Sequence, residues 1–330
     1  MKRRFSLCLA ALLASALLAA PALAAETLMV YTSMKESLIG GIKKAFNEKY
    51  PDIKLDYQSA GAGKLMAKLA AERESGKILA DVLWTSEVPD FYKLKGEGML
   101  HPYISPEVKS ILNPLPDFDG AFTPIRLGTL GIVYNPRFIK TAPTQWTDLT
   151  TPPYKGAFGI ANPALSGTSF MSVALLADQM GWKFFQDLKK NKAKMGKGSG
   201  QVIDDTASGD LVACLGVDYI TNDKISKGAT LVLTYPPQML VIPSPAAIIK
   251  GTPNLDAAQK FIDFMLSKEC QTIIAGEGTL PVRPDVAVPA KFKMPTPEEA
   301  MRRAIKIDYM KLMQSKEETI KKFMEIMQGK

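Results

Sequence analysis

The sequence predicts an α/β protein with two lobes, each a mostly parallel sheet flanked by helices. Short apolar strands alternate with amphipathic helices over residues 27–84, and a second stretch of this kind runs from about residue 155 to 235. Such alternation implies parallel strand pairing with helical crossovers. The chain has 330 residues. A single hydrophobic core usually stops growing below this length, so two lobes are expected.

The first lobe opens with three predicted strands separated by helices. Leu38, Ile42 and Phe46 recur every four residues, which places them on one face of a helix that ends before Pro51. A second helix contains Leu65, Met66 and Leu69, and the strands run over Thr27–Tyr31, Ile53–Tyr57 and Asp81–Trp84.

Two further strands mark the passages between the lobes. Apolar residues return at Gly131–Tyr134, before a proline-rich link, and again at Leu240–Ile249. Pro243 and Pro245 interrupt the second run, which indicates a hinge or a sheet edge, because proline cannot donate a ladder hydrogen bond. A helix follows that contains Ala258, Phe261, Ile262 and Met265.

A C-terminal helical region begins at a strong helix-start pattern. Thr296 stands at the cap position, Pro297 follows it, and Glu298 and Glu299 place acids in the first turn. We assign residues 296–330 to a helical region that packs on the lobes.

Residues 1–24 carry the features of a cleavable secretory signal. Basic residues at 2–4 precede an apolar stretch over 5–18 and the small-residue pattern Ala22-Leu23-Ala24, so cleavage is expected before Ala25. No later run reaches the roughly 18 apolar residues that a membrane-spanning helix needs. We therefore expect a periplasmic protein that is soluble after cleavage.

Charge and composition argue against a nucleic-acid partner. Loss of three basic residues with the signal lowers Lys+Arg from 41 to 38 against 33 acids, so the net charge falls from +8 to +5. Much of the excess lies in residues 291–330 and fits a solvated helical face, since no basic stripe with interleaved aromatics is present. Cys214 and Cys270 stand in apolar contexts and are expected as free thiols, although an oxidising compartment permits a bridge.

An exported enzyme is the competing class. His101 is the single histidine and is expected in a surface turn, which argues against a Ser-His-Asp triad or a multi-histidine zinc site. Gly61-Ala62-Gly63-Lys64 lacks the spacing of a P-loop, and Gly196–Gly200 makes no dinucleotide fingerprint and is interpreted as a loop. We expect no catalytic residue, no cofactor and no metal.

The stretch Asn162–Phe170 has the residues of a loop that runs into a helix and can hold a small anion. Ser166, Gly167 and Thr168 stand at the helix start, before apolar residues spaced three or four apart. The first turn of a helix has unpaired N–H donors and the positive end of the dipole. The hydroxyls at this start are therefore either ligand contacts or only helix caps.

Two strand ends repeat the same chemistry. Tyr31-Thr32-Ser33 follows the first strand and Trp84-Thr85-Ser86 the third, so an aromatic residue and two hydroxyls appear twice at the carboxyl end of a parallel strand. Ligands of open α/β sheets bind beside such ends. Each junction also has a structural explanation, because Ser33 with Glu36 fits a capping box and Ser86 fits a helix cap. Three junctions of this kind in one chain favour ligand contact.

Several segments carry a family resemblance through their order and spacing. They are Asp81-Val82-Leu83-Trp84, Gly131-Ile132-Val133-Tyr134-Asn135, Trp146-Thr147-Asp148-Leu149, Tyr154-Lys155-Gly156, Asn162-Pro163, Ser166-Gly167-Thr168, Ile242-Pro243-Ser244-Pro245 and Phe261-Ile262-Asp263-Phe264. Together they resemble the periplasmic substrate-binding proteins of ABC importers, in the extracellular solute-binding family that includes ferric-iron, phosphonate, sugar-phosphate, thiamine and polyamine binders.

The resemblance implies a type II periplasmic binding protein fold. Two lobes, residues 25–130 plus 241–295 and residues 131–240, would be joined by a two-strand hinge near Gly131–Tyr134 and Leu240–Pro245. They would close on a ligand and then dock on a membrane permease. We expect a monomer.

The resemblance also implies ligand contacts at the strand ends, at the helix start of the second lobe and in later segments. These contacts are Tyr31, Thr32, Ser33, Trp84, Thr85, Ser86, Ser166, Gly167, Thr168, Asp218, Tyr219 and Tyr235. Asp205 joins this set. Together with Glu87, Asp204 and Asp218 it is interpreted as a carboxylate available to hydroxyls or an amine of the ligand. Arg126 is a candidate charge partner.

A phosphate ester, phosphonate or similar oxyanion fits the hydroxyl-rich junctions, since neutral donors would surround its oxygens. Ferric iron is the alternative ligand. It favours phenolate and carboxylate oxygens, and Tyr219 is followed by Ile220 rather than by a second tyrosine. A ligand sensor for a membrane receptor is a further alternative, because the same closed form would serve it.

Overall fold

Strands alternate with helices through a computed structural model that describes residues 26–112, 115, 116 and 118–329. The predicted signal at residues 1–24 lies outside the described residues. The strands are β1 (Glu26–Thr32), β2 (Ile53–Ser59), β3 (Val82–Trp84), β4 (Leu100–His101), β5 (Thr123–Tyr134), β6 (Phe158–Ala161), β7 (Lys194–Gly196), β8 (Ala213–Val217), β9 (Val232–Thr234), β10 (Leu240–Ile249) and β11 (Leu280–Pro281).

Helices connect most of these strands. They are α1 (Glu36–Lys49), α2 (Ala62–Glu74), α3 (Val88–Gly96), α4 (Gly167–Met180), α5 (Trp182–Lys190), α6 (Ser199–Ser208), α7 (Asp218–Ser226), α8 (Leu255–Leu266), α9 (Lys268–Gly276), α10 (Pro297–Arg303) and α11 (Tyr309–Gln328). The predicted face of α1 is confirmed, because Leu38, Ile42 and Phe46 are fully buried. Phe46 packs edge-on against Phe261 of α8, with ring centroids 5.2 Å apart, so the apolar spacing read from the sequence builds the core of the first lobe.

The sheet follows the path β2-β1-β3-β10-β5-β8-β6-β7. β1 pairs in parallel with β2 and β3, and β6 pairs in parallel with β7 and β8. Between these two parallel groups, β10 and β5 run antiparallel to each other. The first group belongs to the first lobe and the second group to the second lobe, while β5 and β10 join the two.

The joining strands differ from the prediction at two points. β5 begins at Thr123 rather than near Gly131, and all twelve of its residues are buried. β10 continues through Pro243 and Pro245 and lies between β3 and β5 rather than at a sheet edge. Its register shifts after Ser244. Such a bulge interrupts the regular ladder of hydrogen bonds, so the strand can hold prolines, which have no N–H to donate.

The C-terminal helices contact both lobes. The Thr296 hydroxyl accepts a hydrogen bond from the Glu299 N–H at 3.2 Å, which confirms the predicted helix start. In α11, Phe323 packs against Phe185 of α5 with centroids 5.4 Å apart, and Tyr309 stacks on Tyr92 of α3 at 6.0 Å. The lobe boundaries assigned from the sequence stay predictions.

The predictions for His101 and for Gly196–Gly200 are wrong, and the prediction for the two cysteines is confirmed. His101 lies in β4, where it pairs with Ile248 of β10, so the predicted surface turn is wrong. Gly196–Gly200 is not a plain loop, because β7 ends and α6 begins within it. Cys214 and Cys270 are both free and buried, as expected. Across the described residues, no helix is both long and apolar enough to cross a membrane.

Candidate ligand-binding cleft

A cavity of about 450 Å³ lies between the two lobes, next to the carboxyl ends of β1 and β3 and the starts of α2, α4 and α6. Its volume is typical of sites that take small molecules. We call this cavity the cleft. The first lobe contributes Ser33, Lys35, Ser59, Lys64 and Ser86, the second lobe contributes Ser166, Gly167, Thr168, Lys197, Ser199, Gln201 and Tyr219, and β5 contributes Arg126.

The predicted contact residues divide into two groups. Those that line the cleft are Ser33, Ser86, Ser166, Gly167, Thr168 and Tyr219. Those that lie outside its lining are Tyr31, Thr32, Trp84, Thr85, Asp205, Asp218 and Tyr235. At both strand ends the last residue of the aromatic-Thr-Ser triplet reaches the cleft, and the two residues before it do not.

The aromatic residues of the triplets are part of the core. Tyr31 and Trp84 are 1% and 0% exposed. The Tyr31 hydroxyl donates to a Glu72 carboxylate oxygen at 2.6 Å, and the Trp84 indole N–H donates to the Ser244 carbonyl at 3.2 Å. Both polar groups therefore have partners within the first lobe and its joining strand.

The threonines of the triplets are also turned inward. Thr32 is fully buried, and its hydroxyl accepts a hydrogen bond from the Met34 N–H at 3.1 Å. Thr85 is fully buried as well, and its backbone N–H donates to the Pro245 carbonyl at 3.2 Å. The Thr32 hydroxyl thereby stabilises its strand end, whereas the buried Thr85 hydroxyl has no hydrogen-bond partner among the described residues. Neither threonine lines the cleft, and the chain reaches it only at the following serine.

Ser33 and Ser86 are not helix caps, so that structural explanation is wrong. The N-cap of α1 is Lys35 and the N-cap of α3 is Glu87. The Ser86 hydroxyl instead lies 2.9 Å from the buried Ser244 hydroxyl, and Ser86 itself lines the cleft. Both serines are therefore placed by the strand ends and leave oxygen atoms at the cavity.

The second lobe presents three hydroxyls to the cleft as a compact cluster. The oxygens of Ser166, Thr168 and Ser199 lie 3.1 Å from one another in every pair, and we call this group the hydroxyl triad. Ser166 also caps α4, because its hydroxyl accepts the Ser169 N–H at 3.4 Å. Ser199 is not among the contacts predicted from the sequence, although Gly198-Ser199 ahead of buried Val202 and Ile203 has the pattern of a helix start.

Arg126 and Asp218 form a buried ion pair at the junction of the lobes. Arg126 Nη1 lies 3.3 Å from one Asp218 oxygen and donates to the Thr279 hydroxyl at 2.7 Å. The same Asp218 oxygen accepts the Tyr219 N–H at 2.7 Å. The other accepts the Thr129 N–H, the Thr129 hydroxyl and the Thr279 hydroxyl at 2.8, 3.1 and 2.7 Å. Asp218 therefore holds Arg126 in place and has no oxygen directed at the cleft.

Tyr219 links the two lobes directly. Its ring lies under Arg126, with the guanidinium carbon 4.9 Å from the ring centroid. Its hydroxyl accepts a hydrogen bond from the Lys35 N–H of the first lobe at 3.0 Å. Burial raises the pKa of Tyr219 to about 12, so the phenol stays protonated and keeps one O–H to donate.

Tyr235 and Asp205 lie away from the cleft for different reasons. The Tyr235 hydroxyl is 2.8 Å from the Thr129 hydroxyl, and burial raises its pKa far above the ordinary value. Asp205 lies in the second turn of α6, six residues past Ser199, whose end of the helix faces the cleft. Neither side chain is positioned to contact a ligand there.

The lobes touch at two glycines at the start of α2. A Cβ atom on Gly61 would lie 2.1 Å from the Leu165 carbonyl oxygen, and one on Gly63 would lie 2.3 Å from the Ala164 carbonyl oxygen. Real Cβ atoms essentially never approach so closely. The absence of side chains at these two positions therefore permits the closed arrangement of the lobes.

Charge is distributed unevenly around the cleft. Lys35, Lys64 and Lys197 line it, and none of their ammonium groups forms a salt bridge within the described part of the chain. No Asp or Glu of the described residues lines it. Of the acids expected to face a ligand amine, Glu87 pairs with Lys316 and Asp204 pairs with Lys224 at 2.6 Å, so that expectation is wrong for both.

A metal centre has little support in the donor atoms present. Among the described residues, no group of three or more His, Cys, Asp or Glu side chains is arranged to hold a metal ion. The cleft offers hydroxyls, ammonium groups and a guanidinium instead. These groups suit the oxygens of an anion better than a hard cation.

Two α/β lobes joined by two shared strands, with a polar cavity between them, define a solute-binding protein of the type II periplasmic binding protein fold. Residues 77–312 match the family described as bacterial extracellular solute-binding protein. The match covers well over half of the chain, and the chain belongs to this family.

The chain is similar to two curated proteins over most of its length. One is an uncharacterized protein of Haemophilus influenzae, 30% identical over 267 residues, or 76% of each chain. The other is described as a putative 2-aminoethylphosphonate-binding periplasmic protein of Salmonella typhimurium, 26% identical over 250 residues, or 72% of each chain.

Solved structures share the fold. The periplasmic binding protein AfuA from Actinobacillus pleuropneumoniae, with fructose-6-phosphate bound, has a TM-score of 0.79 and 24% identity, over 92% of this chain and 99% of that one. Iron-bound HitA from Pseudomonas aeruginosa has a TM-score of 0.76 and 23% identity, over 91% and 99%. At such identities the likeness establishes the fold alone, and the family and fold are those of binding proteins rather than enzymes.

Proposed function

We propose that this chain is the solute-binding protein of an ABC importer, acting in the periplasm as a monomer. In this proposal it captures a small oxyanionic ligand, such as a phosphate ester or a phosphonate, in the cleft and delivers it to a membrane permease. The observation that carries the proposal is the hydroxyl triad opposite Ser33 and Ser86, in a cavity lined by cations and by no described carboxylate.

The triad is well placed for tetrahedral oxygens. Ser166 and Thr168 lie at the start of α4 and Ser199 at the start of α6, so two sets of unpaired backbone N–H groups accompany the three hydroxyls. Neutral donors of this kind cost less to remove from water than a cluster of charges. The relatives described as binding a phosphonate or a sugar phosphate support the same ligand class.

Closure follows from contacts on both lobes. A ligand held between Ser86 and the triad would favour the closed arrangement by its differential affinity for that state. The Lys35–Tyr219 hydrogen bond and the glycine contacts at Gly61 and Gly63 would form at the same time. The permease would then recognise the closed form.

Ferric iron fits this donor set less well. Tyr219 is the one phenol in the lining, and the described lining holds no carboxylate or imidazole. Native mass spectrometry of gently purified protein, with phosphorus and iron measured on the same sample, tests the ligand class. We expect phosphorus without iron. Iron at one equivalent would reverse the assignment.

Two further experiments test transport and closure. Loss of uptake on gene deletion would support delivery to a permease, whereas normal uptake with a lost response would indicate a receptor partner. Small-angle scattering should show compaction when fructose 6-phosphate or a phosphonate binds, and proven binding with an unchanged radius would contradict closure. Chemical turnover of a bound ligand would assign the protein to the enzymes instead.

A further inference from the structure

We propose that the cleft selects phosphate esters or phosphonates whose organic part is neutral or anionic, and that it discriminates against those bearing an ammonium group. This inference rests on the proposed function and narrows its ligand class. It separates the chain from the binding specificity named for its Salmonella relative, 2-aminoethylphosphonate.

The first step is the excess of positive charge in the lining. Lys35 and Lys64 come from the first lobe and Lys197 from the second, so the cations approach from both sides of the cleft. All three side chains are exposed, and none has a salt-bridge partner among the described residues. A ligand with two or more negative charges would supply the missing partner.

The second step is the lack of a carboxylate that could receive an amine. Asp218 lies nearest in the sequence to the lining residue Tyr219, but its two oxygens already accept hydrogen bonds from Arg126, Thr129, Thr279 and the Tyr219 N–H. It is fully buried behind the guanidinium that it orients. Releasing an oxygen to a ligand would break this network.

Glu87 is the other acid close to the cleft, and it is also committed. One of its oxygens pairs with Lys316 of α11, and the other lies 2.7 Å from where a Gly167 Cβ would stand. Its side chain is 2% exposed, so it packs against the start of α4 and does not enter the cavity. Asp204 points to Lys224 instead.

An ammonium group in this cleft would therefore lose water without gaining an acceptor of opposite charge, and it would face like charges. Both effects disfavour the aminated ligand relative to an isostere with a hydroxyl. A hydroxyl, in contrast, can pair with neutral groups of the lining such as Ser33 and Gln201. Discrimination then comes from repulsion and desolvation rather than from one specific contact.

The test uses three phosphonates of similar size, titrated calorimetrically against the full mature protein. They are 2-hydroxyethylphosphonate, 2-aminoethylphosphonate and phosphonoacetate, which differ in a hydroxyl, an ammonium and a carboxylate. We expect the hydroxyl and carboxylate compounds to bind at least about tenfold more tightly than the amine. Raising NaCl from about 50 to 500 mM should narrow the difference, because salt screens exposed charges.

A pair of charge reversals assigns the effect to the cleft. Lys64→Glu should reduce or reverse the preference, whereas Lys44→Glu, the same change on an exposed lysine of α1 outside the lining, should leave it intact. Equal or tighter binding of 2-aminoethylphosphonate by the unmutated protein would overturn the inference and leave the proposed function standing. Failure of all three phosphonates and of fructose 6-phosphate to bind would overturn both.

Discussion

Two charged clusters lie close to the start of α4 and have opposite balances. In the cleft, Lys35, Lys64 and Lys197 are exposed, with no carboxylate of the described residues beside them. On the α11 side, Glu87 and Asp90 are 2% and 4% exposed and share one ammonium group, that of Lys316. One region has cations without anions, and the other has more anions than cations.

This difference in charge balance is what we expect between a binding site, the cleft, and a structural contact, the cluster around Lys316. Exposed lysines remain hydrated and cost the fold little, so an unpaired set is tolerated where a ligand supplies the anion. Buried acids are expensive without a cation, so Lys316 is held against both of them and lies 5.6 Å from the Phe170 ring centroid of α4. Lys316 thereby ties the C-terminal helix to both lobes.

The sharpest test of this comparison removes the shared cation. Lys316→Met leaves two buried acids without a partner and should lower the free energy of unfolding by about 3 to 5 kcal/mol at pH 8. Urea unfolding followed by circular dichroism measures the change. Lys311→Met is the matched control, because it breaks an exposed pair with Asp178 on the same helix and should cost less than about 1 kcal/mol. Equal effects of the two variants would contradict the comparison.

The pH dependence of stability should follow Glu87. Burial, followed by the charge of Asp90, raises its pKa to about 7, while Lys316 opposes the shift. Because the folded state then holds the proton more tightly than the unfolded state, stability falls as pH rises from about 4.5 to 7. The loss is no more than roughly 3 to 4 kcal/mol, from 1.36 kcal/mol per pKa unit. Glu87→Gln should flatten the slope of unfolding free energy against pH, measured by urea titrations at several pH values. An unchanged slope would show that another group causes the pH dependence.

Closure of the cleft should depend on the two contact glycines. Gly61→Ala combined with Gly63→Ala places methyl groups against the Leu165 and Ala164 carbonyls, so the lobes cannot approach fully. We expect affinity for the best phosphonate to fall by about 30-fold, or roughly 2 kcal/mol, with unfolding little changed. Scattering should show no compaction.

Gly96→Ala is the control for this prediction, because a Cβ there meets nothing within 4 Å in a helix of the first lobe. It should close and bind like the unmutated protein. Normal compaction in the double variant would show that the glycines do not govern closure.

The smallest expected effects come from single hydroxyls. Ser33→Ala and Thr168→Ala should each weaken ligand binding by about 1 to 2 kcal/mol without loss of stability, since neither hydroxyl caps a helix. Ser166→Ala should reduce both the ligand affinity and the free energy of unfolding, because Ser166 caps α4 and is also part of the hydroxyl triad. Calorimetric titration and urea unfolding separate the two readouts, with exposed Thr272→Ala on α9 as the control. Unchanged affinity in all three variants would leave the hydroxyls with structural roles only.

Most of the fold could be read from local patterns. The apolar spacing of Leu38, Ile42 and Phe46, the strand runs and the Thr296 cap all act within a few residues, so the sequence predicts them well. The predicted strand at Gly131–Tyr134 is shorter than β5, because twelve buried residues on a strand shared by both lobes show no alternation that marks its start. β10 looked interrupted because the bulge that tolerates its prolines depends on the partner strand.

By itself, the sequence determined that three hydroxyl-rich junctions exist and that they fall at strand ends and a helix start. Only the tertiary structure decided which atoms face the cleft. Side-chain direction at a strand end depends on the packing behind it, which buries Tyr31 and Trp84 in the core and leaves Ser33 and Ser86 in the cleft lining. The net positive charge of the cleft is likewise a tertiary property. Asp218 is paired with Arg126, and Glu87 with Lys316, and each partner comes from a distant part of the chain.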